Sequence, residues 1–233
     1  PRRSRVLPDT GREGDPLSSE AHAALAEALA ALGATLRYHR DMGLSEVSLE
    51  REYLLTPEEA LGAQERDLQG CRRCKLCDGR RTIVFGSGNP RADFVCIGEG
   101  PGADEDAQGK PFVGRAGQLL TKMLESVGLD RERDCFITNT VKCRPPGNRN
   151  PEADELAACA PFLAAQLGVI QPKVVLALGS VATQALLRTK EPIGKLRGRL
   201  HPYGAAVLIP TFHPAFLLRN PGPEYRRMAW EDL

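Results

Sequence analysis

The sequence predicts an α/β domain, a three-layer α/β/α sandwich around a four-stranded parallel sheet, with a helical extension before it. Three observations predict this. Short apolar runs with strand character recur along the chain, each is followed by a stretch of helical periodicity, and the composition changes near residue 66. With 233 residues, 42% hydrophobic and 26% charged, the chain can fill a core.

In chain order, the first twenty residues lack periodicity and read as an irregular arm. An Ala/Leu-rich helix is expected from Ser18, and Thr56-Pro-Glu-Glu starts a second one with a capping residue, Pro at the first position and acids in the first turn. These segments form an extension over 1–65; the α/β domain spans 66–233. Its expected strands are Ala92-Asp-Phe-Val-Cys-Ile, Asp134-Cys-Phe-Ile-Thr-Asn, Lys173-Val-Val-Leu-Ala-Leu and Ala206-Val-Leu-Ile-Pro. Helices are expected at 116–127, 151–168, 179–188 and 222–232. Ligands of such sheets bind beyond the carboxyl ends of the strands, where Gly98-Glu-Gly-Pro-Gly, Asn139-Thr-Val-Lys-Cys, Gly179-Ser-Val-Ala and the His213 segment fall.

The net charge of +1 hides an asymmetry. Residues before Cys71 hold 8 Lys and Arg against 13 Asp and Glu, leaving 23 against 17 after it. A basic domain behind an acidic extension suits a polyanionic ligand. No run of eighteen apolar residues and no signal-peptide pattern is found, so the expectation is a cytoplasmic protein that does not engage membranes, with a monomer as the default.

Seven cysteines without an export signal read as metal ligands and spare thiols rather than disulfides. Cys71 and Cys74 form a C-x-x-C pair, and Cys143 and Cys159 flank a Pro-rich loop. Four thiolates are a full ligand set for an iron–sulfur cluster or a structural zinc. Spacing leaves both open, with Cys77 as a rival ligand; Cys96 and Cys135, on expected strands, read as small hydrophobes.

Other residues point to a nucleic acid. The glycines after the first strand let backbone N–H groups approach a ligand, and the acidic stretch behind them brings Glu105. Pro214 keeps His213 at a strand end, and Ala-Phe-Leu-Leu-Arg-Asn-Pro then presents an apolar tip beside a cation on an expected loop, as a wedge that replaces a base in a DNA stack would. Gly179 and Ser180 open a helix whose free N–H groups suit a phosphate, with Lys195 and Arg197 nearby.

Taken together, Gly98-Glu-Gly-Pro-Gly, Gln108-Gly-Lys-Pro-Phe-Val-Gly-Arg-Ala-Gly-Gln-Leu-Leu, Thr138-Asn-Thr-Val-Lys-Cys-Arg-Pro-Pro-Gly-Asn-Arg and His213-Pro-Ala-Phe-Leu-Leu-Arg-Asn-Pro resemble a family 4 uracil-DNA glycosylase over about residues 66–233. The resemblance implies a 4Fe-4S cluster held by Cys71, Cys74, Cys143 and Cys159, with Cys77 left out. It implies that Asn139 reads the uracil edge, that Phe112 stacks on the base and that His213 donates to uracil O2. Related glycosylases hold the attacking water with an Asp or Asn where this chain has Gly100; Glu99 is then expected to shape the site and Glu105 to contact the water. Leu217 is the expected wedge, supported by Phe216 and Leu218, with Arg219 on a phosphate. The implied substrate is uracil-containing DNA, single- or double-stranded, hydrolysed to free uracil and an abasic site without lyase action. A sister group that traps uracil-DNA covalently uses a histidine before the last cysteine, which Arg-Pro-Pro-Gly-Asn-Arg-Asn-Pro lacks. The rival readings are an iron–sulfur electron carrier or redox sensor, and a zinc-stabilised nucleic-acid-binding module.

Overall fold

The computed structural model describes Ala26, Glu27 and Leu55–Leu233, and Leu55–Leu233 forms one compact unit. The helix expected from Ser18 lies, but for Ala26 and Glu27, outside the described residues.

Helix α1 (Pro57–Leu68) starts where the sequence signals it. Glu59 N–H donates to Thr56 Oγ1 at 3.3 Å, and Thr56 N–H to the Glu59 carboxylate at 2.8 Å, with Pro57 in the first turn. Leu61 and Leu68 are buried in the main core, Arg91 grips Glu58 through two nitrogens at 2.9 and 3.0 Å, and Gln64 donates to the Ala165 carbonyl. The boundary expected at 65/66 therefore cuts through a helix of the compact unit.

The sheet has six strands: β1 (Ser87–Gly88), β2 (Phe94–Gly98), β3 (Cys135–Asn139), β4 (Val174–Leu178), β5 (His201–Tyr203) and β6 (Ala206–Thr211), in the order β1-β3-β2-β4-β6-β5. The central four are parallel, as expected; β1 and β5 are added antiparallel at the edges. Two- and three-residue edge strands carry too little alternation to be read from sequence, and Pro202 is tolerated in β5 because the strand is an edge.

The parallel strands are apolar on both faces because both are covered. Val95, Ile97, Phe136, Val175, Ala177 and Leu208 face Leu61 and Leu68 of α1 and Leu163 and Ile170 of α4 (Ala153–Ile170). Cys96, Ile137, Leu176 and Leu178 face Leu120 and Leu124 of α3 (Arg115–Ser126) and Phe112. Cys96 and Cys135 are fully buried and fill space, as expected. Helix α4, with mean hydropathy 1.3 over 18 residues, is long and apolar enough to cross a membrane; in this fold it buries Glu155 and Gln166 beside Cys159, Leu163 and Ile170, and it packs on the sheet through the last two.

The remaining helices are α2 (Ala103–Gln108), α5 (Ser180–Leu187), α6 (Ile193–Leu196), α7 (Pro214–Arg219) and α8 (Pro223–Asp232). Two of them replace expected loops. The acidic stretch after Gly102 is α2, and the apolar tip after His213 is α7, with Pro214 in its first turn: proline keeps the preceding residue extended and is itself well suited to start a helix.

Candidate active site

Parallel register brings the carboxyl ends of the strands into one row. Gly98 pairs with Asn139, and Leu178 with Thr211. Just beyond that row lies a cavity of about 540 Å³ whose wall includes Glu99, Gly100, Phe112, Asn139, Gly179, Ser180, His213 and Arg219. Four segments far apart in sequence thus meet at one edge.

Glycines let them come so close. A Cβ on Gly98 would lie 2.5 Å from both Asn139 Oδ1 and the Phe112 ring, and one on Gly100 would lie 2.8 Å from Val141. Gly179 stands at φ 88, and a Cβ there would lie 2.8 Å from His213 Cβ. The two loops at the top of β2 and β3 stay paired beyond the sheet, Thr140 N–H donating to the Gly98 carbonyl and Val141 N–H to that of Glu99.

Asn139 is 1% exposed, and its Oδ1 is buried without a hydrogen-bond partner. An unpaired buried acceptor costs roughly 1–3 kcal/mol, which makes this atom a candidate to accept from a ligand. The Phe112 and His213 rings stand beside it with centroids 5.7 Å apart, inclined by 32°.

The tautomer of His213 follows from its cap. Ala215 N–H donates to Nδ1 at 3.1 Å, so the ring's proton sits on Nε2. Burial, reinforced by Arg219 and opposed by Glu105, holds its pKa down to about 4, so the ring is neutral near pH 7. Glu99 is pushed above the usual carboxylate range by burial, with Arg219 opposing, and no hydrogen bond acts on its carboxyl group.

Glu105 lines the cavity as well. Its carboxylate accepts N–H bonds from Gly102 at 3.1 Å and from Val113 and Gly114 at 2.9 Å. Three backbone donors make it a brace for the Phe112 loop. Leu217 differs from the expectation. It is 3% exposed, packed with Met123, Phe212 and Ala229, and cannot be the wedge. Helical geometry turns position 217 inward and leaves Leu218 half-buried and Arg219 exposed.

The uracil-DNA glycosylase superfamily model matches residues 85–233. This chain belongs to the uracil-DNA glycosylase superfamily. Among curated proteins, it is 45% identical over 182 residues to the type-4 uracil-DNA glycosylase of Thermotoga maritima, covering 77% of this chain and 94% of that protein. It is 48% identical over 176 residues to the type-4 enzyme of Saccharolobus solfataricus, covering 72% and 80%. The type-5 uracil-DNA glycosylase of Thermus thermophilus is 34% identical over 173 residues, covering 64% and 77%.

In this superfamily member the expected phosphate-binding residues divide. Ser180 and Lys195 are exposed. Arg197 is not available: two of its nitrogens meet the buried Asp232 carboxylate at 2.8 and 3.0 Å, and its guanidinium lies over the Phe212 ring.

The cysteines gather at one corner. Cys143 and Cys159 are buried together with Leu76 and Val141, Cys74 packs against them, and Cys71 borders the adjoining core. Arg80 donates to Cys143 Sγ at 3.2 Å and Lys142 N–H to Cys159 Sγ at 3.3 Å, bonds that favour a charged sulfur, although burial outweighs them and pushes both thiols up, Cys143 to about 11. Cys77 turns to Asp78 instead. No group of three His, Cys, Asp or Glu side chains is set to hold a metal ion among the described residues. Charged contacts pin the corner as well: Lys75 reaches Glu152 at 2.5 Å, and Arg73 lies 4.6 Å over the Phe162 ring.

Lys142 escapes the sequence reading. Fully buried, its ammonium donates to Thr138 Oγ1 at 2.6 Å, Gln166 Oε1 at 2.6 Å and the Asn139 carbonyl at 2.8 Å. Burial draws its pKa down to about 7. It stands within the Thr138-Asn-Thr-Val-Lys-Cys motif, three residues beyond the end of β3, with no role expected of it there.

Proposed function

We propose that this chain is a monofunctional uracil-DNA glycosylase of the type-4 kind, acting on the DNA of its cell. The observation that carries the reading is the orphaned Asn139 Oδ1, on a residue that lines the same cavity as Phe112 and His213. The Asn139 amide offers an acceptor for uracil N3–H and a donor for O4, whereas cytosine presents the reverse pattern. The ring of Phe112 supplies a stacking face.

His213 donates from Nε2 to uracil O2 as the base leaves with negative charge. A neutral, buried donor already aimed at the developing charge stabilises it without reorganisation. The C1′–N1 bond breaks through a sugar of oxocarbenium character, and water attacks C1′. Glu99, whose carboxyl group carries no hydrogen bond, is the freer of the two cavity carboxyls to orient that water, Glu105 being held by three backbone N–H groups. No lysine lines the cavity among the described residues, and Lys142 is engaged behind it, which supports hydrolysis without lyase chemistry.

The base must leave the duplex, at a cost of a few kcal/mol. Leu218, on the outward side of α7, takes the wedge role, and Arg219, Ser180 and Lys195 contact phosphates. Cys71, Cys74, Cys143 and Cys159 would hold a 4Fe-4S cluster. A cluster spreads its four ligands over several irons, which fits thiols that border one corner without closing on one ion. Its contribution is to tie the loop from Cys143 to Cys159 against the 71–74 turn.

Uracil release from a labelled oligonucleotide tests the proposal. We expect free uracil and an intact strand until alkali is added, and an Asn139→Ala variant slower by about 100-fold or more, as for other preorganised groups. No release from single- or double-stranded substrate would overturn it.

A further inference from the structure

Phe112 holds an unusual backbone. It stands in the left-handed region at φ 53 while 5% exposed, a conformation that a residue with a bulky side chain adopts only when its surroundings impose it. Glu105 takes the N–H groups of the next two residues, Val113 and Gly114. The opposite side is held by Arg131, which no motif in the sequence singles out.

The Arg131 guanidinium reaches both carbonyls of the turn. Its Nη1 donates to the Phe112 carbonyl at 2.9 Å and to Thr121 Oγ1 at 3.0 Å, and Nη2 donates to the Pro111 carbonyl at 3.1 Å. Gly117 makes room for this arrangement, since a Cβ there would lie 1.8 Å from the Phe112 oxygen. Arg131 is itself fixed, because Asp130 Oδ1 accepts N–H bonds from Glu132 and Arg133 and closes the turn that carries it. Its side chain is 17% exposed and lines a second cavity, of about 300 Å³, that also has Phe112 in its wall. Phe112 thus stands between the two cavities, with Arg131 behind it.

We infer that Arg131 is a positioning residue for base stacking: by clamping the carbonyls of Pro111 and Phe112 it keeps the Phe112 ring turned into the active site. The inference rests on the reading of Phe112 as the ring that stacks on uracil. Arg131 acts through Phe112 and lies outside the wall of the active-site cavity. The planar guanidinium spans these acceptors from two separate nitrogens, a fixed geometry that the single-point ammonium of a lysine does not reproduce.

A double-mutant cycle tests it. kcat/KM for uracil release is measured from a single-stranded oligonucleotide, with Tm, for wild type, Phe112→Ala, Arg131→Met and the double variant. Arg131→Met is expected to lower kcat/KM by about 10–100-fold, the loss typical of a misplaced contact group. The double variant should then fall within about twofold of Phe112→Ala alone, because the clamp has nothing left to position. If Arg131→Met does not fold, Arg131→Lys completes the cycle, with a smaller loss expected and the same non-additivity. Losses that add in full, or an Arg131→Met enzyme with wild-type kcat/KM, would overturn the role of Arg131 while leaving the stacking reading intact. Wild-type kcat/KM in Phe112→Ala would instead overturn the stacking reading, and this inference with it.

Discussion

His213 is held neutral, with its proton on Nε2, because two local features agree: Ala215 N–H takes Nδ1, and burial keeps a second proton off. The sign of its pH dependence follows. With a folded pKa of about 4 against about 6.5 unfolded, the unfolded chain binds more protons between those values, so stability falls as pH drops from about 6.5 to about 4. Tm measured across that window should fall more steeply for wild type than for His213→Gln, which does not titrate. Equal slopes would show that the imidazole is not held neutral. Residue chemistry of this kind was partly legible: Asn139, Phe112 and His213 sit in distinctive sequence contexts. The bracing role of Glu105 was not legible, because nothing local announces that its carboxylate meets Val113 and Gly114 eight and nine residues on.

Helix α7 decides which apolar side chain can enter DNA. In the loop expected from sequence, Phe216, Leu217 and Leu218 are equally free; a helix commits each to a direction. Leu217→Ala should therefore destabilise the protein by about 2–5 kcal/mol, as cavity-forming core changes do, and lower activity alike on single- and double-stranded DNA. Leu218→Ala should leave stability within about 1 kcal/mol of wild type and impair duplex cleavage more than single-strand cleavage. Thermal unfolding paired with uracil release on the two substrates checks both; duplex-selective loss in Leu217→Ala at unchanged Tm would contradict the burial. The capped start of α1 was readable from Thr56-Pro-Glu-Glu. Its docking was not, because that depends on Arg91 and Ala165, distant in sequence.

At the scale of the molecule, the cysteine corner joins the turn at Cys71 and Cys74 to the end of β3 and to α4. Lys142 connects that corner to Asn139, its N–H on Cys159 and its ammonium on the Asn139 carbonyl. Cys143→Ser is expected to abolish absorbance near ~400 nm, a general property of such clusters, and to lower Tm. A colourless wild-type protein purified without air would count against the cluster, and full colour in Cys143→Ser against this ligand.

The sequence by itself determined the alternation of strands and helices, hence the parallel core, and placed the chemically distinctive residues beyond the strand ends. Both follow from local periodicity and from motifs whose residues are neighbours in the chain. Tertiary structure alone decided which side chains are free to act. It buried Leu217, spent Arg197 on Asp232, occupied Glu105 with backbone N–H groups and set Arg131 behind Phe112, because burial and hydrogen-bond partnership are fixed by residues far apart in sequence.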